Sequence, residues 1–327
     1  MKRAPNSPRA LSRRELLQVG ATAGVGAAVL GGGLLLRHRY DVPRGGPSLV
    51  IKEHRVERPP GATQLAIAHG PDATSNVRRA LEAMGGMAAF VKKGDRVVVK
   101  PNVGWNRLPE QAANTNPDVV AEVVRQVKAA GASKVWVTDS PVNSPERCFE
   151  RSGIRRATGD GGGTLVMPDG NAFREVAVQG AVLKVADVLW PFVEADKVIN
   201  LPVAKHHGLS KATLSMKNWY GVLGGHRVRL HQDLHRSIVD LAMMVKPTLT
   251  VLDATRLLMA NGPTGGSLAD VKRYDAVVVS VDQVAVDALG AGLLGLAPSE
   301  VGFIVEAEKA GLGVSDWKSL KHEDIPA

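Results

Sequence analysis

The strongest constraint on the fold is the alternation of short apolar runs with longer helical patterns from residue 64 onward. The apolar runs have the length of buried strands and occupy residues 64–69, 96–100, 134–138, 197–201, 249–252 and 276–281. Helical spacing of apolar residues recurs between and after them, at residues 75–91, 118–130, 234–245, 284–294 and 298–310. Strands that are apolar throughout and separated by helices are typical of a parallel sheet covered on both faces. We therefore predict an α/β fold with a mainly parallel sheet and helices on both faces.

Two stretches depart from this alternation. Residues 160–192 contain a glycine run at 161–163 and short strand-like pieces, which predict a small β insertion. Residues 37–62 are rich in proline and glycine, which predicts a linker that encloses one short strand at 49–52. Residues 63–327 then form the α/β domain.

Residues 1–36 have the layout of a twin-arginine export signal. Arg13 and Arg14 follow a basic segment and precede 21 uncharged residues, 16–36, of which six are glycine. The alternative is a membrane anchor, but glycine weakens hydrophobicity and helix propensity and so favours the signal. A cleavage motif does not follow the apolar stretch, which as a helix is long enough to cross a bilayer core. We expect the twin-arginine translocase as a partner, and a periplasmic protein or one tethered through this segment to the outer face of the cytoplasmic membrane.

The positive charge of the chain is concentrated in this leader. Of the formal net charge of +9, residues 1–44 carry +6, because eight Lys and Arg residues stand there against two acidic residues. The remainder is close to neutral, so a nucleic-acid partner is not indicated. Cys148 is the sole cysteine, which excludes an internal disulfide and a cysteine-held iron–sulfur cluster or zinc site within one chain. We expect Cys148 to be a small buried residue rather than a nucleophile.

Polar residues follow five of the predicted strands at the point where each strand ends. In open parallel sheets, ligands bind outside the carboxyl ends of the strands. These ends carry Lys100 and Asn102, Asp139 and Ser140, the Lys205-His206-His207 stretch, Asp253, and Asp282. We predict that they share one site at one edge of the sheet.

Residues 205–233 hold the densest group of polar side chains and glycines. Lysine and hydroxyl donors beside glycines suit a small anionic ligand such as phosphate or carboxylate. We predict Lys205, His206, His207 and Asp253 as catalytic residues. The predicted ligand-binding residues are Lys100, Asn102, Asp139, Ser140, Asn200, Lys217, Asn218, Gly224, Gly225 and Asn261. The alternative is a solvated, mobile basic loop, against which stand apolar residues such as Leu214 and Trp219 that would anchor the stretch.

A metal site is a further possibility in this stretch. His231 and His235 have the i, i+4 spacing that would place two imidazoles on one face of a helix. The glutamate of the zinc-protease motif is missing between them. We therefore leave the cofactor open, with these two histidines as the candidate metal ligands.

The chain resembles the bacterial and archaeal family named domain of unknown function 362. The matching segments are Val99-Lys100-Pro101-Asn102, the helix start at Asn116-Pro117, Asp139-Ser140-Pro141, residues 198–202 with Lys205, His207 and Gly208, Lys217-Asn218, the helix at 238–241, Asp253, Asn261-Gly262-Pro263 and residues 282–288. Some relatives carry ferredoxin-like cysteine clusters, which this chain lacks. Residues 205–225 are also similar in layout to the nickel-pincer lactate racemase family. That similarity implies proton or hydride chemistry at a hydroxy-acid carbon, with His206 or His207 as the acid or base and a lysine that holds a cofactor.

Two functions remain open from the sequence. The first is an exported enzyme that acts on a small anionic substrate, with isomerase or oxidoreductase-like chemistry. The second is a non-catalytic ligand-binding protein or an assembly factor for an exported redox enzyme. An enzyme requires titratable groups that converge on one pocket, whereas a binding module requires only donors and a complementary surface.

Overall fold

A β-sheet forms the centre of the protein in the computed structural model, which describes residues 49–225 and 227–327. Residues 1–48, and with them the predicted export signal and the first part of the predicted linker, lie outside the described residues. The strands are β1 (Leu65–His69), β2 (Arg96–Pro101), β3 (Lys134–Val137), β4 (Thr164–Leu165), β5 (Phe173–Ala177), β6 (Val185–Leu189), β7 (Lys197–Leu201), β8 (Val203–His207), β9 (Lys211–Thr213), β10 (Leu249–Leu258), β11 (Val271–Ser280) and β12 (His322–Ile325).

The main sheet has the strand order β12-β1-β11-β10-β7-β2-β3-β4, and β8 and β9 extend it beside β10. The five strands from β10 to β4 are parallel to one another, as are β1 and β12. Strand β11 runs antiparallel to both of its neighbours, β10 and β1. The predicted mainly parallel sheet is therefore confirmed, with β11 as the exception within the order.

Helices cover both faces of the sheet, because alternate strand residues face two separate apolar clusters. Val97 and Val99 belong to one cluster and Val98 to the other. The helices of the first face are α1 (Ala73–Ala83), α2 (Pro117–Ala129), α3 (Pro145–Arg151) and α4 (Ile154–Asp160). Those of the second face are α5 (Trp190–Glu194), α6 (Leu234–Val245), α7 (Gln283–Leu293) and α8 (Gly302–Lys309). The expected burial of Cys148 is confirmed, in α3.

Several predicted boundaries shift for local reasons. The helix predicted over 75–91 ends at residue 83, because Gly85 and Gly86 take positive φ angles of 95° and 74°. The helix predicted over 298–310 begins with a short 3₁₀ turn and becomes α-helical only at Gly302. The short strand predicted at 49–52 is reduced to one bridge, between Leu49 and Val176.

The predicted β insertion is present as the hairpin β5–β6, which forms a separate two-stranded sheet. Strand β4 lies within the same stretch but joins the edge of the main sheet beside β3. The described residues belong to one compact unit, Gly45–Ala327. Within the part of the chain that the structure describes, no helix has the length and apolar character needed to cross a membrane.

One expectation about the sheet edge is wrong. Because β11 runs antiparallel, its last residue, Ser280, pairs with Thr250 near the start of β10. Asp282 therefore lies at the edge opposite to the carboxyl ends of the parallel strands. Its carboxylate accepts hydrogen bonds from the backbone N–H groups of Val284 and Ala285 and so caps α7.

Candidate functional site

Strand β8 presents two of the predicted catalytic residues to a cavity and turns the third away. It follows β7 directly after Pro202, and β9 folds back on it so that Lys205 lies opposite Thr213. Side chains of successive strand residues point to opposite sides. Lys205 and His207 accordingly line the cavity, whereas His206 does not, and the backbone N–H of Gly262 donates to its Nδ1 atom at 3.1 Å.

The cavity has a volume of about 550 Å³. It lies at the carboxyl ends of β2 and β3, where the loops after these strands meet the segment from β8 to the start of α6. Its lining residues are Asn102, Gly104, Trp105, Asp139, Ser140, Val142, Lys205, His207, Gly208, Leu209, Thr213, Lys217, Asn218, Tyr220, Gly221, Gly225, Arg227, Val228, His231, Gly262 and Pro263. Most of the polar residues predicted for the site are in this set.

A buried ion pair lies behind the cavity wall. The Lys100 ammonium is fully buried and donates to Asp139 Oδ1 at 2.8 Å, to Asn218 Oδ1 at 3.1 Å and to the carbonyl oxygen of Pro101 at 2.9 Å. Asp139 also accepts from the backbone N–H groups of Val103 and Ser140. All three ammonium protons are thus used within the protein. Lys100 therefore supports the site and does not line the cavity.

Close approach of the chain to this pair requires a glycine at residue 221. A Cβ atom there would lie 1.8 Å from Asp139 Oδ1 and 2.7 Å from Lys100 Nζ, both far inside contact distance. The Gly221 carbonyl oxygen accepts a hydrogen bond from the backbone N–H of Ser140 at 2.7 Å. The missing side chain lets the two loops pack directly against each other.

Lys205 is a second buried lysine, 1% exposed, and it contacts the cavity. Its Nζ donates to Asn102 Oδ1 at 2.9 Å and to the carbonyl oxygen of Ala113 at 2.5 Å. These are two neutral acceptors, and no carboxylate among the described residues pairs with this ammonium. Burial therefore lowers the pKa of Lys205 from 10.5 to about 7.

Among the cations of the site, Lys217 makes the fewest hydrogen bonds to the residues that the structure describes. Its side chain is 6% exposed and its Nζ lies 4.3 Å from the centre of the Tyr220 ring. Among the residues that the structure describes, none accepts a hydrogen bond from this ammonium. Burial, with a smaller effect from Arg227, lowers the pKa of Lys217 from 10.5 to about 8.

The segment around Lys217 is anchored to helix α7 by buried hydrogen bonds. The buried carboxylate of Asp287 in α7 accepts hydrogen bonds from the backbone N–H groups of Ser215 at 2.6 Å and Met216 at 3.0 Å. Trp219 is fully buried, and its indole N–H donates to Gln283 at 3.0 Å. This part of the stretch is therefore buried and hydrogen-bonded to the core, which contradicts the alternative of a solvated loop.

Arg227 completes a cationic lining that sequence reasoning did not select. Its guanidinium donates to the carbonyl oxygens of Ser140, Pro141 and Tyr220, and it lines the cavity. Lys205, Lys217 and Arg227 thus face a cavity whose lining includes one carboxylate, Asp139, already paired with Lys100. Among the described residues the cavity wall therefore carries surplus positive charge.

His207 is held as a neutral hydrogen-bond donor. Its Nδ1 accepts from the backbone N–H groups of Leu209 at 3.1 Å and Ser210 at 3.3 Å. Burial, together with Lys217 and Lys205, lowers the pKa of His207 to about 3. The neutral ring then carries its proton on Nε2. This form of His207 can donate a hydrogen bond, whereas the predicted acid or base role requires it to change protonation.

Asp253 is buried but does not line the cavity. It lies within β10, which continues past it to Leu258, and its carboxylate accepts from the backbone N–H of Asn116 at 2.7 Å and from the Thr255 hydroxyl at 2.7 Å. Asn116 is the N-cap of α2, so Asp253 ties the start of this helix to the sheet. Burial raises the pKa of Asp253. The geometry therefore gives this residue a structural role and does not bring it to the other predicted catalytic residues.

Three predicted ligand-binding residues also lie outside the cavity lining. Asn200 is fully buried and accepts from the Asn218 amide at 2.8 Å. Gly224 packs against the Phe173 ring. The Asn261 amide donates to Asp270 at the surface, although its neighbours Gly262 and Pro263 reach the cavity.

The predicted histidine pair is not on one helix. His231 belongs to a 3₁₀ segment, Arg227–Asp233, whereas His235 lies in α6. The His231 ring contacts Tyr220 and the cavity, and the His235 ring contacts Phe303 in α8. Within residues 49–225 and 227–327, no three His, Cys, Asp or Glu side chains are grouped so that they could hold a metal ion.

Arg227, Tyr220 and Trp105 are among the residues that line the cavity although the sequence did not predict them as site residues. Arg227 and Tyr220 belong to the dense polar stretch at residues 205–233. Trp105 follows the strand end at Asn102 by three residues, a position that could have pointed to it.

Comparison with known proteins gives a family but no activity. The model of the family described as "Domain of unknown function (DUF362)" matches residues 97–292. A thylakoid-associated protein of Synechocystis sp. is 29% identical over 254 residues, which cover 73% of this chain and 75% of that protein. The lactate racemase apoprotein from Thermoanaerobacterium thermosaccharolyticum aligns with a TM-score of 0.40 and 12% identity over 75% of this chain and 61% of that one, so this chain spans less than two thirds of its length. The family match extends over more than half of the sequence, and the chain therefore belongs to the DUF362 family.

Proposed function

We propose that the protein binds a small anionic ligand in the cavity and acts on it as an enzyme after export from the cytoplasm. The observation that carries this proposal is the surplus of cations on the cavity wall. Lys217 has a buried ammonium that no described residue accepts a hydrogen bond from, and Lys205 retains a third donor proton. A carboxylate or phosphate oxygen is the natural partner for such donors.

Proton transfer is the chemistry that the two lysines favour. General acid–base catalysis works best when the pKa of the catalytic group lies near the operating pH. Burial brings the pKa of Lys205 to about 7 and that of Lys217 to about 8. Either side chain can then give up and regain a proton at neutral pH. His207 would contribute a fixed neutral donor beside them.

The location of the protein outside the cytoplasm is also part of the proposal. It rests on Arg13, Arg14 and the uncharged stretch that follows them. The description of the Synechocystis relative as a thylakoid-associated protein agrees with a location at a membrane. After export the protein is either released into the periplasm or tethered to the outer face of the cytoplasmic membrane.

A non-catalytic ligand-binding protein or an assembly factor is the second candidate. One observation favours it: fewer titratable groups converge on the cavity than the sequence predicts for an enzyme. Lys100 and Asp253 are occupied in structural hydrogen bonds, and His206 points elsewhere. The two candidates differ in turnover, not in ligand binding.

Calorimetric titration with acetate, lactate, pyruvate and inorganic phosphate tests the binding step. Lys217→Met should weaken binding about tenfold or more, because it removes a charge-assisted hydrogen bond. The matched control is Lys309→Met, an exposed lysine in α8 that should leave affinity unchanged. Equal affinity in the wild type and Lys217→Met, or no binding of any of these anions, would overturn the proposal.

Nuclear magnetic resonance in deuterated water separates the two candidates. Solvent deuterium that enters a carbon–hydrogen bond of the bound anion, and does so more slowly in Lys205→Met, would support the enzyme. Binding without exchange or any other change in the anion would favour the non-catalytic protein.

A further inference from the structure

The mouth of the cavity carries an apolar rim that a simple inorganic anion does not explain. Among the described residues, nine large apolar side chains are exposed, and three of them line this cavity. These three, Val142, Leu209 and Val228, are 62%, 66% and 79% exposed and are here called the apolar rim. Exposed apolar groups that gather at one place mark a binding surface more often than scattered ones do.

The apolar rim is assembled from three separate segments. Val142 lies in the loop after β3, Leu209 in the turn between β8 and β9, and Val228 in the 3₁₀ segment before α6. Each backbone is fixed by a hydrogen bond: the Val142 N–H donates to the Gly104 carbonyl oxygen, the Leu209 N–H donates to His207 Nδ1, and the Val228 carbonyl oxygen accepts from the His231 ring. The exposure of these side chains is therefore a feature of the folded site.

The size of the cavity also indicates a ligand larger than an inorganic anion. A volume of about 550 Å³ falls within the range of sites for drug-sized ligands, whereas one water molecule occupies only about 30 Å³ in the liquid. Acetate or phosphate alone would leave most of this space empty. The half-buried aromatic residues Trp105 and Tyr220 add further apolar lining beside the cationic side chains.

We propose that the ligand is an amphipathic anion, in which a carboxylate or phosphate head is joined to an apolar chain. The head contacts Lys217 and the donors beside it, and the chain extends along Tyr220 and Trp105 to the apolar rim. This inference rests on the proposed function, because it names the ligand class of the same cavity. It adds that binding energy comes from the chain as well as from the charge.

Titration of the full-length protein with a homologous series tests the inference. The series consists of acetate, butyrate, hexanoate and octanoate, with inorganic phosphate and short alkyl phosphates as a second arm. Affinity should rise about two- to fourfold for each added methylene, the upper value being that of full burial. The series that binds more tightly, carboxylates or phosphates, identifies the charged group of the ligand. A dependence of affinity on chain length in either series supports the inference.

The apolar rim is tested with Leu209→Asn/Val228→Asn. Both residues are exposed, so folding should be retained. The gain in affinity for each added methylene should fall, while acetate or phosphate binds as in the wild type. Leu268→Asn is the matched control, since Leu268 is 62% exposed and does not line the cavity. It should keep the full gain per methylene.

Three results would overturn the inference, and they are distinguishable. Anion binding that depends on Lys217 but not on chain length would refute the amphipathic ligand and leave the proposed function standing. Failure of every anion to bind would refute both. Sedimentation that shows a dimer lost in the double variant, with no dependence on chain length, would assign the apolar rim to contact with a second copy.

Discussion

The substitution Lys205→Met removes a buried ionisable group whose effect on stability follows from its burial. Burial lowers the pKa of Lys205 from 10.5 to about 7. Each pKa unit corresponds to about 1.36 kcal/mol. The ammonium form therefore destabilises the fold by up to about 5 kcal/mol relative to the neutral amine. Between these two pKa values the unfolded chain binds the proton and the folded protein does not, so the free energy of unfolding rises with pH.

Urea unfolding at several pH values from 7 to 9 measures this effect. Lys205 should contribute up to about 1.4 kcal/mol per pH unit to the slope, and Lys205→Met should lose that contribution. Lys217, whose pKa is about 8, adds to the slope with the same sign in both proteins. The variant also leaves the oxygens of Asn102 and Ala113 without a donor, at a cost of about 1–3 kcal/mol that does not vary with pH.

Lys309→Met is the control for this experiment, because it removes a lysine that is exposed rather than buried. The prediction concerns the slope and not the absolute stability, so a general loss of stability in the variant does not affect it. An unchanged slope in Lys205→Met would show that this ammonium is not desolvated in the folded protein, and the account of the site would then be wrong.

Two further predictions concern the ion pair behind the cavity and the leader. Asp139→Asn leaves the buried Lys100 ammonium without its carboxylate, and we expect a loss of about 3–5 kcal/mol in urea unfolding at pH 7; a loss below about 1 kcal/mol would contradict the pairing. Replacement of Arg13 and Arg14 by lysine should keep the folded protein in the cytoplasm, as cell fractionation with immunoblotting would show, and normal export of that variant would refute the signal.

The parallel part of the sheet could be predicted because its strands are apolar on both faces. Such runs cannot form a half-solvated sheet, and the helical patterns between them supply the two covering layers. The direction of β11 could not be predicted in the same way. The run at residues 276–280 is equally apolar in either direction, and the pairing of Val278 with Leu252 and Ile67 depends on contacts that are distant in sequence.

The polar residues at the predicted strand ends indicated only part of the site, because Asp253 does not line the cavity. The sequence predicts that the strand ends before Asp253, because a carboxylate inside an apolar strand is rare. The strand continues because Asn116 and Thr255 supply the hydrogen bonds that the buried carboxylate requires. Asp139 is a true strand end and does reach the cavity.

Strand β8, which directly follows β7, is not among the strands predicted from the sequence, and this affected the prediction of site residues. In the sequence, residues 205–207 form a continuous polar run that gives no sign of the alternation imposed by β8. That alternation divides Lys205 and His207 from His206. Arg227 was not selected because its role depends on the carbonyl oxygens of Ser140 and Pro141, which lie more than 80 residues earlier in the chain.

A crystal structure of the protein with its tightest-binding carboxylate or phosphate would show whether the cavity binds an anion through Lys217. We expect an anion oxygen within about 3 Å of Lys217 Nζ. We also expect the apolar part of the ligand to contact Tyr220. An anion bound at full occupancy elsewhere on the protein, with only water in the cavity, would contradict the account.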